Sequence, residues 1–415
     1  MIASADRFFR RLGYILIVYV ILMIFFYPYL VKNDFSFLFI MMLIVAISIK
    51  SFAQYFFGIT NRLLLLSDQK GYIYYFTQAL TVILNTLMCY FFIYHGNSIQ
   101  IVYFTTSIVF LLQPIAVYIY VTHTYPIDRK IRYEQEPIKQ KWNGIAQHVA
   151  AVILTGSGSI ILSIFSTLSN VSIYSVYCLP VAGSRMLIMS MISGIQALIG
   201  NLWAKRDFEE LNKVFTWTEW IIHTGTTVIF TVTAILIVPF VRIYTNGIND
   251  ADYIQTNFAV ILVLANSLHC YRLPYNIMIL AAGHYKQTQN NYIYASIANI
   301  IISIIAVMYV GLTGASLGML VALLYQTWWM AWYNSNNFIN WPLKKFYKQV
   351  LVDIVTAVAI FLFSRNIIIF ENNYYGWILL AIKVLVVGVL VSLIINSVFF
   401  FEKIRQIINK AFKIN

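Results

Sequence analysis

Residues 171–204 read VSIYSVYCLPVAGSRMLIMSMISGIQALIGNLWA. About 20 apolar residues cross the hydrocarbon of a bilayer, and this run is longer than that. One full charge, Arg185, stands near its middle. A guanidinium does not deprotonate, and at mid-bilayer it costs roughly 2.5–3.5 kcal/mol on insertion scales. Around it stand Ala182, Gly183, Ser184, Ser190, Ser193 and Gly194. Residues this small let neighbouring helices approach closely, which turns the charge away from lipid. Such a cation is either satisfied by carbonyls on a neighbouring helix or kept for function.

The composition agrees with a membrane setting. The 415 residues are 60% hydrophobic and 10% charged, against about 25% charged in a soluble domain. Twelve apolar runs lie at roughly 12–31, 35–60, 72–94, 99–122, 143–166, 171–202, 217–241, 254–282, 290–310, 313–333, 349–369 and 375–400. Each is long enough for a helix that satisfies its own backbone, as the bilayer core demands. The expected fold class is therefore all-α, a polytopic membrane helix bundle of about 12 transmembrane helices. The expected divisions are an N-terminal lobe of four helices at 1–122, a cytoplasmic linker at 123–142 and a six-helix lobe at 143–335. A peripheral helix pair at 345–400 and a basic cytoplasmic tail at 401–415 follow. The polar segment 204–216 is expected as a short surface helix carrying Arg206–Glu210 and Glu209–Lys213 pairs.

The net charge of +13 fits cytoplasmic loops and anionic lipid, not nucleic acid. With the N-terminus inside, Arg7, Arg10, Arg11, the 129–141 cluster, Lys344, Lys345, Lys348 and the tail all become cytoplasmic. The outer loops keep Lys32, Arg242 and Arg365. Both termini are therefore expected in the cytoplasm of a cell whose inner membrane the chain crosses many times. Cys89, Cys178 and Cys270 lie inside apolar runs and read as reduced packing residues. MIASADRFFRR leads into the first run with no small-residue cleavage site, so no cleavable signal peptide is expected.

Apart from Arg365, close to the outer end of its run, four basic residues fall within the runs: Lys50, Arg185, Arg272 and Lys383. Glu219 reads as a helix-start residue and Asp353 as lying a turn or so inside another helix, which leaves no carboxylate at mid-depth. Exporters driven by a cation need buried carboxylates to bind and release it. Fixed positive charge suits an anion instead, and Arg matches phosphate oxygens with two parallel hydrogen bonds. Lys383, near an outer helix end, snorkels. Arg272 stands two residues before Pro274, where a kink frees carbonyls. Tyr174 and Tyr177 lie near Arg185, and Tyr271 adjoins Arg272. Aromatic faces with polar edges suit a sugar, but core packing is the commoner reason for any single one of them. The candidate substrate-binding residues are thus Arg185, Arg272, Lys50, Tyr174, Tyr177 and Tyr271. No phosphate-cradling Gly-rich loop, metal-type cluster or nucleophile set is present, so no catalytic residue, metal or cofactor is expected. Outer loops as short as NSIQ and TLSN leave no room for an extramembrane active site. That weighs against a membrane glycosyltransferase or polymerase.

Five segments carry a family resemblance: RLLLLSDQKGYI (62–73), ILSIFSTLSNVSIYSVY (161–177), IGNLWA (199–204), YRLPYNIMILAAGHYK (271–286) and GLTGASLGM (311–319). In order and spacing the chain resembles the polysaccharide repeat-unit flippases, the Wzx-type transporters of the multidrug/oligosaccharidyl-lipid/polysaccharide exporter superfamily. The resemblance implies a two-lobe exporter fold around a cationic cavity. It also implies movement of an undecaprenyl-pyrophosphate-linked oligosaccharide between leaflets, for surface polysaccharide such as O-antigen or capsule. The implied partners are that lipid-linked oligosaccharide, membrane lipids, and the polymerase and other polysaccharide-assembly proteins. Two departures stand out. The match begins at what corresponds to the family's third helix, so the first lobe reads as truncated. Gly158 and Ser159 stand where the family often has Asp-Asn, which removes an ion-coupling site there. The alternatives are a glycosyltransferase or polymerase of the same pathway, a cation-coupled drug exporter of the same superfamily, and a truncated homologue without function.

Overall fold

The computed structural model describes residues 2–30, 36–129, 131, 140–338, 341–367 and 373–411. Residues 130 and 132–139 of the 123–142 linker, with Lys130, Arg132 and Lys139, lie outside the described residues, as do Lys32 and Lys413. Among the described residues every regular element is helical and no strand occurs. Ten helices are long and apolar enough to cross a membrane. The other two of the twelve apolar runs are also helical. One is broken at Arg272, and the other, Leu312–Asn337, is diluted by Gly, Ser, Gln and Asn. The chain divides into two compact units, Met1–Lys139 and Gln140–Asn415.

The first unit holds α1 (Ile2–Leu30), α2 (Phe37–Ala53), α3 (Ile59–Ser67), α4 (Gly71–Tyr94), α5 (Ile99–Val109) and α6 (Leu112–Thr124). A π-helical turn, Gln54–Gly58, joins α2 to α3. Pro114 explains the break between α5 and α6: it offers no N–H to the carbonyl four residues back, Phe110, and crowds it. Gln54 at the π turn donates to Gln113 beside that proline at 2.9 Å. Asp6 ties the ends together, accepting from Arg10 at 3.0 Å and from Arg129 at 3.2 Å, while Arg129 also donates to Asn61 at 2.7 Å. At the loop after α3, Tyr125 donates to Asp68, and Lys70 donates to Tyr125 at 3.1 Å. The Tyr125 hydrogen bond first, and then Lys70, hold the Asp68 carboxyl below its ordinary range. The cluster is solvated, so it fixes the loop more than it stabilises the unit.

The second unit holds α7 (Lys141–Phe165), α8 (Leu168–Lys205), α9 (Phe208–Tyr244), α10 (Thr256–Tyr271), α11 (Leu273–Ala281), α12 (Tyr285–Val310) and α13 (Leu312–Asn337). Then come α14 (Lys344–Ser364), α15 (Tyr374–Phe399) and α16 (Phe401–Ala411). The segment 204–216 corrects the sequence reading. It is not a separate helix: Arg206, at φ 57°, ends α8, and Asp207 caps α9 by accepting from the Glu210 amide at 3.2 Å. The ion pair formed there is Lys213 with Glu210, at 3.2 Å. Charges three apart in the first turns of a long helix share a face as readily as charges four apart. Pro274 breaks α10 from α11 for the reason that Pro114 breaks α5 from α6. α14 and α15 pack on each other and on α9, through Val228, Val232, Leu236, Ile360, Leu380 and Val384.

The GLTGASLG segment is explained by contact distance. A Cβ on Gly314 would stand 2.3 Å from the Ala306 carbonyl carbon, and one on Gly318 2.2 Å from Ser303 Oγ and 2.5 Å from the Asn299 carbonyl oxygen. Helices α12 and α13 therefore touch through backbone, as membrane helices do where small residues line the seam. Asn299, on the same stretch, donates to Ser157 of α7 at 2.8 Å. Gly318→Ala should cost about 1–3 kcal/mol as an overpacked contact. Gly156→Ala, where an added Cβ meets nothing within 4 Å, should be neutral or slightly stabilising. Thermal melting in detergent checks this, and equal melting temperatures would refute the seam.

Candidate functional site

Helix α8 begins at Thr167, whose hydroxyl accepts from the Asn170 amide at 3.3 Å, and runs past Pro180 to Lys205. Its middle carries Arg185 to the wall of a cavity of about 180 Å3. Thr155, Gly156 and Ser159 of α7 line that cavity, with Tyr174, Cys178 and Ala182 of α8, Asn266 of α10 and Met319 of α13. Arg185 is half-buried, and its Nη1 lies 3.4 Å from Asn266 Oδ1. Among the described residues no carboxylate lies within ion-pair distance of it. That long hydrogen bond to a neutral amide engages one of the guanidinium's five donors. A cation beside hydroxyls and an amide, with apolar Val181 and Leu262 completing the wall, has the chemistry to meet an anion.

Tyr174 shapes the same recess. Its hydroxyl occupies the place a side chain on residue 158 would need: a Cβ there would stand 2.5 Å from the phenolic oxygen. Gly158, the departure from the family pattern, is thus a packing partner of Tyr174. Ser159 faces the cavity.

The structure separates the six candidate residues. Tyr174 and Arg185 line one cavity. Tyr177 is fully buried, and its hydroxyl donates to the Tyr253 carbonyl at 2.8 Å and accepts from the Gln255 amide at 3.0 Å, anchoring the start of α10. Arg272 is buried, donating to Gln326 of α13 and, at 3.3 Å, to Nδ1 of His269. Its Nε has no hydrogen-bond partner. Arg185 and Arg272 do not share the cavity, but their fields overlap on His269 and Cys270. Tyr271 points the other way, against α9, where its hydroxyl meets Thr227 at 2.9 Å. Lys50 belongs to the first unit and lies exposed, its ammonium 3.8 Å from the Phe110 ring centroid.

The fold is that of the lipid II flippase MurJ and of the MATE transporters. MurJ in an inward closed conformation superposes with a TM-score of 0.62 at 17% identity, over 96% of this chain and 84% of that one. A multidrug resistance MATE family transporter of the MOP superfamily, outward-facing, gives 0.62 at 14% identity, over 83% and 79%. MATE in complex with MaD3S gives 0.59 at 15%, over 83% and 84%. No protein-family model matches the chain, and no curated protein matches it by sequence.

Several residues of the recess are absent from the six candidates. Cys178 stands seven before Arg185 on α8, a spacing that shares a face, whereas Thr155 and Asn266 line the recess only through the packing of α7 and α10 against α8, for which a single sequence holds no signal. Glu219 and Asp353 are corrections. Glu219 lies eleven residues into α9 and Asp353 nine into α14, and both are buried. Glu219, His223 and Thr227 recur every four residues, so one face of α9 had to carry all three; that signal was legible. Gly158→Asp should destabilise the protein by displacing the Tyr174 ring, and adding Tyr174→Ala should restore much of the loss. Melting of the single and double variants in detergent checks this, and no rescue would show that residue 158 is constrained by something else.

Proposed function

We propose that the chain is a membrane flippase for a polyprenyl-pyrophosphate-linked oligosaccharide, serving surface polysaccharide assembly. The observation that carries this is the guanidinium of Arg185 at a recess with, among the described residues, no carboxylate beside it. The recess, about 180 Å3, is smaller than the roughly 300–1,000 Å3 clefts that enclose whole drug-sized ligands. It fits a phosphate head, with sugars and lipid tail outside it. Arg185 supplies the planar fork for phosphate oxygens, and Asn266, Ser159 and Thr155 supply further polar contacts. Arg272, in the same unit, adds positive charge outside the lining of the recess. Tyr174 closes the recess with a ring edge. The protein works as a transporter, not an enzyme.

The fold it shares with MurJ, a lipid II flippase, supports lipid-linked cargo. A second reading, a cation-coupled exporter like the MATE proteins, draws on the buried Glu219 and Asp353. Reconstituted vesicles separate them: the first reading expects flipping of a fluorescent lipid-linked oligosaccharide and no efflux of a cationic dye.

Direction follows from charge. An anion leaving a negative-inside cell gains about 2.3 kcal/mol per charge per 100 mV. The same reading places both termini in the cytoplasm of a bacterial inner-membrane protein, by the distribution of Lys and Arg. A cysteine at Asn97 or Gly247 should react with an impermeant maleimide on whole cells, and one at Arg206 should not. The reverse pattern would overturn the orientation.

Arg185→Ala should abolish surface polysaccharide export at normal membrane abundance. Arg185→Lys should recover only part, because a compact ammonium lacks the fork. Loss of abundance in both variants would instead mark Arg185 as structural. Normal export in Arg185→Ala would remove it from the site.

A further inference from the structure

The second unit buries another polar centre, away from the Arg185 recess. Glu219 and His223 stand one turn apart on α9, Tyr275 on α11 and Asp353 on α14, and all four are buried. They form one continuous chain of contacts. The Trp341 indole donates to Glu219 Oε2 at 3.0 Å. The Tyr275 hydroxyl lies 2.8 Å from Glu219 Oε1 and 3.2 Å from His223 Nε2. His223 Nδ1 lies 2.6 Å from Asp353 Oδ2. Asp353 Oδ1 accepts from Thr227 at 3.0 Å and from Gln349 at 3.1 Å.

Counting hydrogens shows what this chain does. Tyr275 has one hydrogen and stands between two groups. Ionised Glu219 can only accept, and so can a ring nitrogen without its proton. If His223 is neutral, donating from Nδ1 to Asp353, then Nε2 and Glu219 both need the single hydrogen of Tyr275, and one buried acceptor goes without. One extra proton closes every link. Placed on Nε2, it is donated to the Tyr275 oxygen, and Tyr275 donates to Glu219. Placed on Glu219, it is donated to Tyr275, and Tyr275 donates to Nε2. The two arrangements hold the same protons: as one leaves Nε2 for the phenolic oxygen, another leaves that oxygen for Glu219. Asp353 stays ionised in both.

We propose that Glu219, Tyr275, His223 and Asp353 form a proton-binding relay, taking one proton from water and, when loaded, bolting α9, α11 and α14 together. An unmade buried hydrogen bond is costly, so the loaded and empty states differ in how firmly these helices hold. The site is distinct from the recess assigned to the phosphate and does not depend on that assignment. Other charged and titratable groups face it. Tyr271 of α10 lies against the His223 ring, with centroids 4.9 Å apart. Lys403 of α16 acts on Glu219 while donating to the Thr216 carbonyl at 2.9 Å. Burial takes Lys403 down to about 8, against the pull of Glu219 and with the help of Lys345 and Lys348. From α15, Asn396 accepts from the Trp220 indole at 2.8 Å.

Infrared difference spectroscopy of the full chain in nanodiscs, across about pH 5 to 9, tests the relay. Wild type should show imidazole and carboxylic-acid bands that titrate together. Glu219→Gln and His223→Gln should each abolish that joint transition. Tyr275→Phe should split it into two separate midpoints, because the bridging hydroxyl is gone. Lys403→Met should leave the bands titrating together. Absence of pH-dependent bands in wild type, or joint titration that survives Tyr275→Phe, would overturn the proposal. If Glu219→Gln fails to fold, the wild-type and Tyr275→Phe spectra decide alone.

Discussion

A permanent cation inside an apolar bundle must be answered by something. At Arg185 the protein answers it with one carbonyl oxygen, that of Asn266, at 3.4 Å. Everything near it serves that incomplete answer. Ala182 and Gly156 keep the wall low, Tyr174 fills the flank over Gly158, and Ser159 and Thr155 bring hydroxyls from α7. A structural arginine of this kind would be expected to meet a carboxylate, since an unpaired buried charge is heavily penalised. The buried carboxylates among the described residues of the unit are instead engaged elsewhere, Glu219 with Tyr275 and Trp341, Asp353 with His223 and Gln349.

The second unit thus carries two polar centres of opposite character. One is cationic, open to a recess and under-satisfied. The other is anionic, closed, and one proton short of full pairing. α9 and the broken α10–α11 pair stand next to both. Asn266 on α10 reaches Arg185, while Tyr271 and Tyr275, beyond it on the same pair, reach the His223 network. The break at Arg272 separates Asn266 and Tyr271 from Tyr275. Pro274, which offers no N–H to the turn before it, accounts for that break, and Arg272 is held at it by Gln326 of α13.

Helices were legible because each apolar run had to satisfy its own backbone. All twelve runs appear as helix, and both interrupted ones carry the proline that breaks them. Contacts between helices were not legible in the same way. Tyr271 and Arg272 are neighbours in sequence, but consecutive helical residues point about 100° apart. One therefore faces α9 and the other α13. Tyr177, a candidate for either a sugar site or the core, is core, and its hydroxyl is engaged by the loop before α10. Glu219 was misread because 204–216 looked like a separate surface helix. Once Arg206 and Asp207 are seen to turn the chain straight into α9, Glu219 becomes an interior residue. The repeat Glu219, His223, Thr227 then defines the buried face.

The central claim is that the Arg185 recess takes a phosphate head. Equilibrium binding of a short-chain polyprenyl diphosphate to the purified protein, compared with the uncharged polyprenol, tests it most directly. A hydrogen bond to a charged group is worth about 1.5–3 kcal/mol, so Arg185→Ala should weaken diphosphate binding by roughly ten- to a hundredfold and leave polyprenol binding unchanged. Equal affinity for the two lipids in the wild type, or diphosphate binding untouched by Arg185→Ala, would contradict the account.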